Sequence, residues 1–155
     1  MQMCSQTALK DISVLYSQVS DYMSRRADWI IAGQVDRLVE GYSFPVPVDL
    51  ETHRVIVRSA EEGKAMLSLW HATLIKRGVV AIRGRVVSMD LPRRGRFRVW
   101  VEYHEYTADQ TSDRFTSVVY YCSTTANGLQ IEMVTYPKLS NPELNPQFAA
   151  LAMSA

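Results

Sequence analysis

The chain has 155 residues, 47% of them hydrophobic and 21% charged, with a net charge of +1. That length suits one domain with a sizeable core, and the near-neutral balance excludes a global field that would gather nucleic acid or an anionic membrane. Cys4 and Cys122 stand far apart and form no CxxC motif, which fits a reducing compartment.

Met1–Lys10 is polar and charged where a signal peptide needs an apolar run. No stretch approaches the roughly 20 apolar residues of a membrane span. The expectation is a cytoplasmic, soluble protein with neither nucleic-acid nor membrane partners.

Ser5 to Ala32 has helical periodicity. Leu9, Ile12, Tyr16, Val19, Met23 and Ala27, then Ile30 or Ile31, recur at three- and four-residue steps. Ser5 is the expected cap and Gly33 the expected stop. A break near Ser24–Asp28, with Asp28 capping a second helix, is the alternative. Val35–Glu40 reads as a short helix burying Val35, Leu38 and Val39. Ser43–Val48 alternates Phe44, Val46 and Val48 with Ser43, Pro45 and Pro47. Proline has no N–H to donate, so this is an edge strand or extended arm. His53–Arg58 is a second short strand, paired with the first. Ser59–Arg77 is a helix with Met66, Leu69, Trp70, Thr73 and Leu74 on one face. Ser59 and Glu62 form a capping box, and Gly78 ends the helix.

Val79 to Tyr136 reads as an antiparallel meander of four runs: Val79–Met89, Arg96–Thr107, Arg114–Thr124 and Leu129–Tyr136. The turns are Pro92–Gly95, Asp109–Asp113 and Ala126–Gly128. Along the second run, Phe97, Val99, Val101 and Tyr103 share one face. Arg98, Trp100, Glu102, His104 and Tyr106 share the other, a mixture suited to a partner surface. Asn127-Gly128 as a two-residue turn with both residues at positive φ sets Tyr121 near Val134 and Cys122 near Met133. Asn145 and Pro146 start a final short helix through Phe148 and Leu151, or a tail. Residues 1–155 form one domain.

This order of elements, with the run Ala32-Gly33-Gln34-Val35-Asp36-Arg37-Leu38, resembles the nuclear-transport-factor-two-like superfamily. That superfamily has the cystatin-like α+β fold shared by ketosteroid isomerase, scytalone dehydratase and SnoaL-like cyclases. Many members have Asp where Gln34 stands. The resemblance covers about residues 5–137, leaving 138–155 as a tail or short helix. It implies a cone-shaped, curved antiparallel or mixed sheet wrapped on N-terminal helices around a central, mostly apolar cavity. It also implies a homodimer through the exposed sheet face. Ketosteroid isomerase uses a Tyr on the first helix and two strand acids. By position, Arg26 falls near that Tyr, with Tyr22 one turn earlier. Pro45 and Pro47 stand where the base would lie, with Asp49 just beyond. His53, His71 and His104 match no order seen in scytalone dehydratase. Neither catalytic set carries over.

Candidate catalytic groups are Glu105, Tyr103, His71 and Asp36. Tyr103 and Glu105, two apart on a strand, would present a donor and an acid to a concave pocket. The plainer alternative is a core Tyr with Glu105 in water at the strand end. His71 is a candidate base, or a half-exposed residue on the polar flank of its helix. Asp36 is a candidate buried acid with Arg37, or solvated. The first helical turn accounts for Glu61 and Glu62. The Arg93–Arg98 cluster is a phosphate grip or, more simply, a soluble hairpin tip. Tyr16, Tyr22, Trp29, Tyr42, Trp70, Phe97 and Tyr103 are expected to line the cavity, though a packed core uses the same residues.

No metal, phosphate-loop, dinucleotide or nucleophile-elbow motif occurs, so no cofactor is expected. Two functions follow. One is binding of an unidentified hydrophobic small molecule, with lyase- or isomerase-type proton transfer as the candidate chemistry. The other is a non-catalytic dimerisation or structural subunit acting through its sheet face.

Overall fold

The computed structural model describes the backbone of residues 2–109 and 114–153 and the side chains of 11–109 and 114–152. Among these residues ten elements follow in order: α1 (Gln2–Ala32), α2 (Val35–Glu40), β1 (Val46–Asp49), β2 (Arg54–Val57), α3 (Ala60–Lys76), β3 (Val79–Met89), β4 (Arg96–Thr107), β5 (Phe115–Thr125), β6 (Gly128–Lys138) and α4 (Leu144–Met153). The six strands form one open sheet in the order β2-β1-β6-β5-β4-β3. All neighbours are antiparallel except β1 and β6.

α1 runs unbroken through Ser24–Asp28, so the two-helix alternative does not hold. It begins at Gln2, so Ser5 lies inside the helix and not at its start. One stripe of α1 is buried: Val19, Met23, Arg26, Ala27 and Ile30. This stripe lies close on β3. A Cβ on Gly84 would stand 2.8 Å from the Met23 carbonyl oxygen, so only glycine lets the helix come this near. α3 adds Met66, Leu67, Trp70 and Leu74 to the same core. Its cap differs from the expected box. Ser59 Oγ accepts from Glu62 N at 3.4 Å, but Glu62 Oε2 accepts from Arg58 N rather than Ser59 N.

β1 starts at Val46 rather than Ser43, and neither Pro45 before it nor Pro47 within it confines it to an edge. β1 lies between β2 and β6, and β2 is the edge. The physical reason is register. β1 meets β6 only at Val48 and Asp49, beyond Pro45 and Pro47, so neither proline needs an N–H for that ladder.

The meander follows the sequence reading, and β4 alternates as expected, with Phe97, Val99, Val101, Tyr103 and Glu105 buried. The Pro92–Gly95 turn closes by reciprocal Arg93–Arg96 backbone bonds, with Arg94 at φ 54° and Gly95 at φ 76°. The Asp109–Asp113 turn lies mostly outside the described residues, at 110–113. The last hairpin pairs Thr125 with Gly128, so its loop residues are Ala126 and Asn127. Gly128 alone takes positive φ there, at 101°, and the strands carry a bulge. Tyr121 therefore pairs with Met133 and Cys122 with Ile131, shifted from the expected register. α4 is a helix from Leu144 and packs Leu144, Phe148 and Ala149 into the core.

Candidate functional site

The centre of the fold is filled by aromatic rings around one cation. Trp70 meets Tyr103 and Tyr136 edge-on, with centroids 5.8 and 6.3 Å away. The Tyr103 and Tyr120 hydroxyls share a hydrogen bond of 2.9 Å. Beside them lies Arg26, only 1% exposed. Its Nη1 donates to the Leu38 carbonyl at 3.0 Å, and its Nη2 donates to the Tyr42 hydroxyl at 2.7 Å. Its guanidinium also faces the Tyr22, Tyr42 and Tyr120 rings at 5.8, 5.0 and 5.3 Å. No carboxylate among the described residues pairs with it, and its Nε has no partner. A guanidinium keeps its proton in any protein environment, so this is a permanent interior charge. Among the described residues it is held by carbonyl, hydroxyl and ring faces.

Burial pushes the Tyr103 hydroxyl up to about 12, with Arg26 opposing. Burial also raises Tyr120 and Tyr136, and raises Tyr42 against the pull of Arg26. These phenols are neutral donors near neutral pH, not bases.

A small space lies beside these rings. An apolar cavity of about 40 Å³ lies among Tyr42, Phe44, Val46, Met66, Val134 and Tyr136. Sites for drug-sized ligands run roughly 300–1,000 Å³, so this one lacks the volume by about tenfold. Of the aromatic side chains expected to line a deep cavity, Tyr42 borders this small one, while Trp70, Phe97 and Tyr103 pack into the core. No carboxylate or imidazole borders it.

A larger space lies outside. A groove of about 630 Å³ runs between α1, α2 and the β5–β6 hairpin. Tyr22, Arg25 and Trp29 come from α1, Arg37 and Glu40 from α2, and Thr124, Asn127 and Gln130 from the hairpin. The Tyr22 and Trp29 rings meet edge-on at 6.2 Å. Tyr22 stands directly against Gly41, where a Cβ would come within 2.1 Å of its hydroxyl.

The sequence candidates scatter around this arrangement. Tyr103 and Glu105 share the inner face but have separate partners. Glu105 is 3% exposed, not in water at the strand end, and takes a 2.6 Å bond from Arg77 Nη2. His71 Nδ1 pairs with the Ile30 carbonyl at 2.9 Å and its ring packs against Gly33, which ties α3 to the end of α1. Asp36 is solvated, its carboxylate 82% exposed and 3.1 Å from Lys64. Tyr42 borders the interior cavity, while Tyr22 and Trp29 border the groove. Trp70, Phe97 and Tyr103 are packed core. Tyr16 is 44% exposed on α1 and borders neither space, because its helical face turns away from the sheet. No cluster of His, Cys, Asp and Glu among the described residues could hold a metal ion. No described helix is long and apolar enough to cross a membrane.

No protein-family model and no curated protein matches this sequence. Solved structures do match its shape. A domain of unknown function with a cystatin-like fold from Nostoc punctiforme superposes with a TM-score of 0.62 at 17% identity, covering 90% of this chain and 94% of that one. A nuclear-transport-factor-two-like protein from Novosphingobium aromaticivorans gives 0.58 at 13% identity, over 90% and 93%. The fold is nuclear-transport-factor-two-like. Aln2 from a Streptomyces species is similar too, with a TM-score of 0.61 at 10% identity, over 79% and 89%. Identities this low carry the fold and nothing finer. Within this fold, the α1 position compared above with a catalytic Tyr holds the buried Arg26.

Proposed function

We propose that this protein is a small-molecule-binding domain that takes its ligand in the groove between α1, α2 and the β5–β6 hairpin, without acid–base catalysis. The observation that carries this reading is the contrast in volume. The groove offers about 630 Å³, within the usual range for small ligands, against about 40 Å³ inside. Aromatic Tyr22 and Trp29 beside polar hairpin groups suit a partly apolar molecule. The proton-transfer reading lacks support, because Glu105 is engaged by Arg77 and the interior phenols stay protonated.

The test is a thermal-shift screen of small hydrophobic compounds on three proteins. Leu129→Trp narrows the groove, and Val46→Ile fills the interior cavity. Stabilising compounds should lose their effect in Leu129→Trp and keep it in Val46→Ile. The reverse pattern would refute the groove.

A second reading, compatible with the first, is homodimerisation through the outer sheet face. Its support is a row of half-buried rings under cations. Arg98 covers Trp100 at 4.8 Å, Arg83 covers Tyr106 at 5.3 Å, and Lys138 covers Phe115 at 4.0 Å. Aromatic and arginine side chains are enriched in protein interfaces. Sedimentation of wild type against Trp100→Glu tests it, with a dimer that dissociates expected and an unchanged mass against it.

A further inference from the structure

The charges at the groove narrow the ligand, an inference that rests on the groove being the binding site. Several exposed arginines elsewhere on this surface have carboxylate partners. Arg54 pairs with Asp49, Arg58 with Glu62, Arg96 with Glu132 and Arg98 with Asp90. Arg25 and Arg37 line the groove from two different helices and have no carboxylate partner among the described residues. Glu40 is the only carboxylate among the described residues along the same walls. One residue after Arg25, Arg26 points inward and adds a third positive charge behind the wall, also without a counterion among the described residues. Arg83, Arg85, Arg93 and Arg94 also have no carboxylate partner among the described residues, but none lines this groove, where two arginines face one glutamate on a protein of net charge +1.

Arg37 is also held in place. Its guanidinium lies over the Trp29 ring, 5.9 Å from the centroid. A stacked guanidinium loses less freedom when it forms a forked bond to an acid group. Leu15, Tyr22 and Leu129 supply the apolar part of the same lining.

We infer that the groove selects a planar, partly apolar molecule bearing one acidic group, with the acid held by Arg25 and Arg37 and the ring system resting on Leu15, Tyr22 and Leu129. A carboxylate, phosphate or sulfonate would satisfy the two forks.

Two fluorescent probes that differ only in the acid make the test. They are 1-anilinonaphthalene-8-sulfonate and its neutral counterpart N-phenyl-1-naphthylamine. At low salt the sulfonate should bind the wild type at least about tenfold more tightly, a contrast that shrinks as salt screens the arginines. The double variant Arg25→Ala/Arg37→Ala should lose about tenfold or more for the sulfonate and leave the neutral probe unchanged. Glu40→Gln should tighten the sulfonate. Both arginines are exposed, so the variants keep the fold, and circular dichroism checks this. Equal affinity for the two probes, or a sulfonate affinity unmoved by the double variant, overturns the acid selection. If Leu129→Trp still weakens both probes in that case, the groove reading survives alone. If Leu129→Trp moves neither probe, both bind elsewhere and both readings fall.

Discussion

Tyr42→Phe removes one oxygen, yet it should be among the costlier single changes in this protein. The Arg26 guanidinium has two hydrogen-bond partners inside the fold, Leu38 O and Tyr42 Oη, and its Nε already has none. Removing the 2.7 Å bond to Tyr42 leaves a second nitrogen unpaired on a buried charge. Hydrogen bonds to charged groups contribute about 1.5–3 kcal/mol, so the expected loss is about 2 kcal/mol. For a chain of this size that lowers Tm by roughly 4–8 °C. Arg26→Met removes the charge as well as its bonds. Relief of desolvation then offsets much of the lost bonding, and the variant should lie within about 2 kcal/mol of wild type. In the Arg26→Met background, Tyr42→Phe should cost under about 0.5 kcal/mol, because no cation remains to be orphaned. The coupling across the double-mutant cycle is therefore about 2 kcal/mol. Urea unfolding followed by circular dichroism on the four proteins measures it. Equal costs of Tyr42→Phe in both backgrounds would refute a guanidinium held by its tyrosine.

Three smaller predictions follow from local features. Arg94 sits at φ 54° in the β3–β4 turn, so Arg94→Gly should raise stability by about 1 kcal/mol in urea titrations, and a loss would contradict the turn geometry. Burial pushes the Cys122 thiol up to about 12. In a Cys4→Ser protein, Ellman's reagent at about pH 8 should therefore leave Cys122 unmodified until denaturant is added. Asp49 is held below the usual carboxylate range, chiefly by its hydrogen bond from Arg54. The unfolded chain binds that proton more readily, so the contribution is present above the unfolded value of about 3.9 and disappears as pH falls through the lower folded value. Stability of Asp49→Asn should lie below wild type near neutral pH and converge with it in acid, and a constant gap would count against the ion pair.

The order of elements was legible because local signals agreed with one another. The stop at Ala32-Gly33, the Ser59 cap and the alternation of Phe97 to Tyr103 all point the same way. Registers were harder to read. A bulge beside Cys122 and a Gly128 that acts alone shift the last hairpin by one residue at Tyr121 and two at Cys122, and nothing in the spacing of Asn127-Gly128 separates this from the expected turn. Pro45 and Pro47 misled in a similar way, since the segment bonds β6 on either side of them, at Tyr42 and Ser43 and again at Val48 and Asp49.

The candidate site was less legible. A cavity and a packed core use the same aromatics, and only the three-dimensional packing of Trp70, Tyr103, Tyr120 and Tyr136 decides between them. Arg26 did carry a signal, because it falls on the same helical stripe as Val19, Met23 and Ile30. The groove did not. Arg25, Arg37 and Gln130 meet only through folding, and each reads by itself as an ordinary surface residue.

The most direct measurement of the central claim is a crystal structure of the protein with 1-anilinonaphthalene-8-sulfonate. The account predicts the probe between α1, α2 and the β5–β6 hairpin, its sulfonate against Arg25 and Arg37, with the interior rings unmoved. Probe density inside the sheet, with Trp70 or Tyr136 displaced to admit it, would contradict the account.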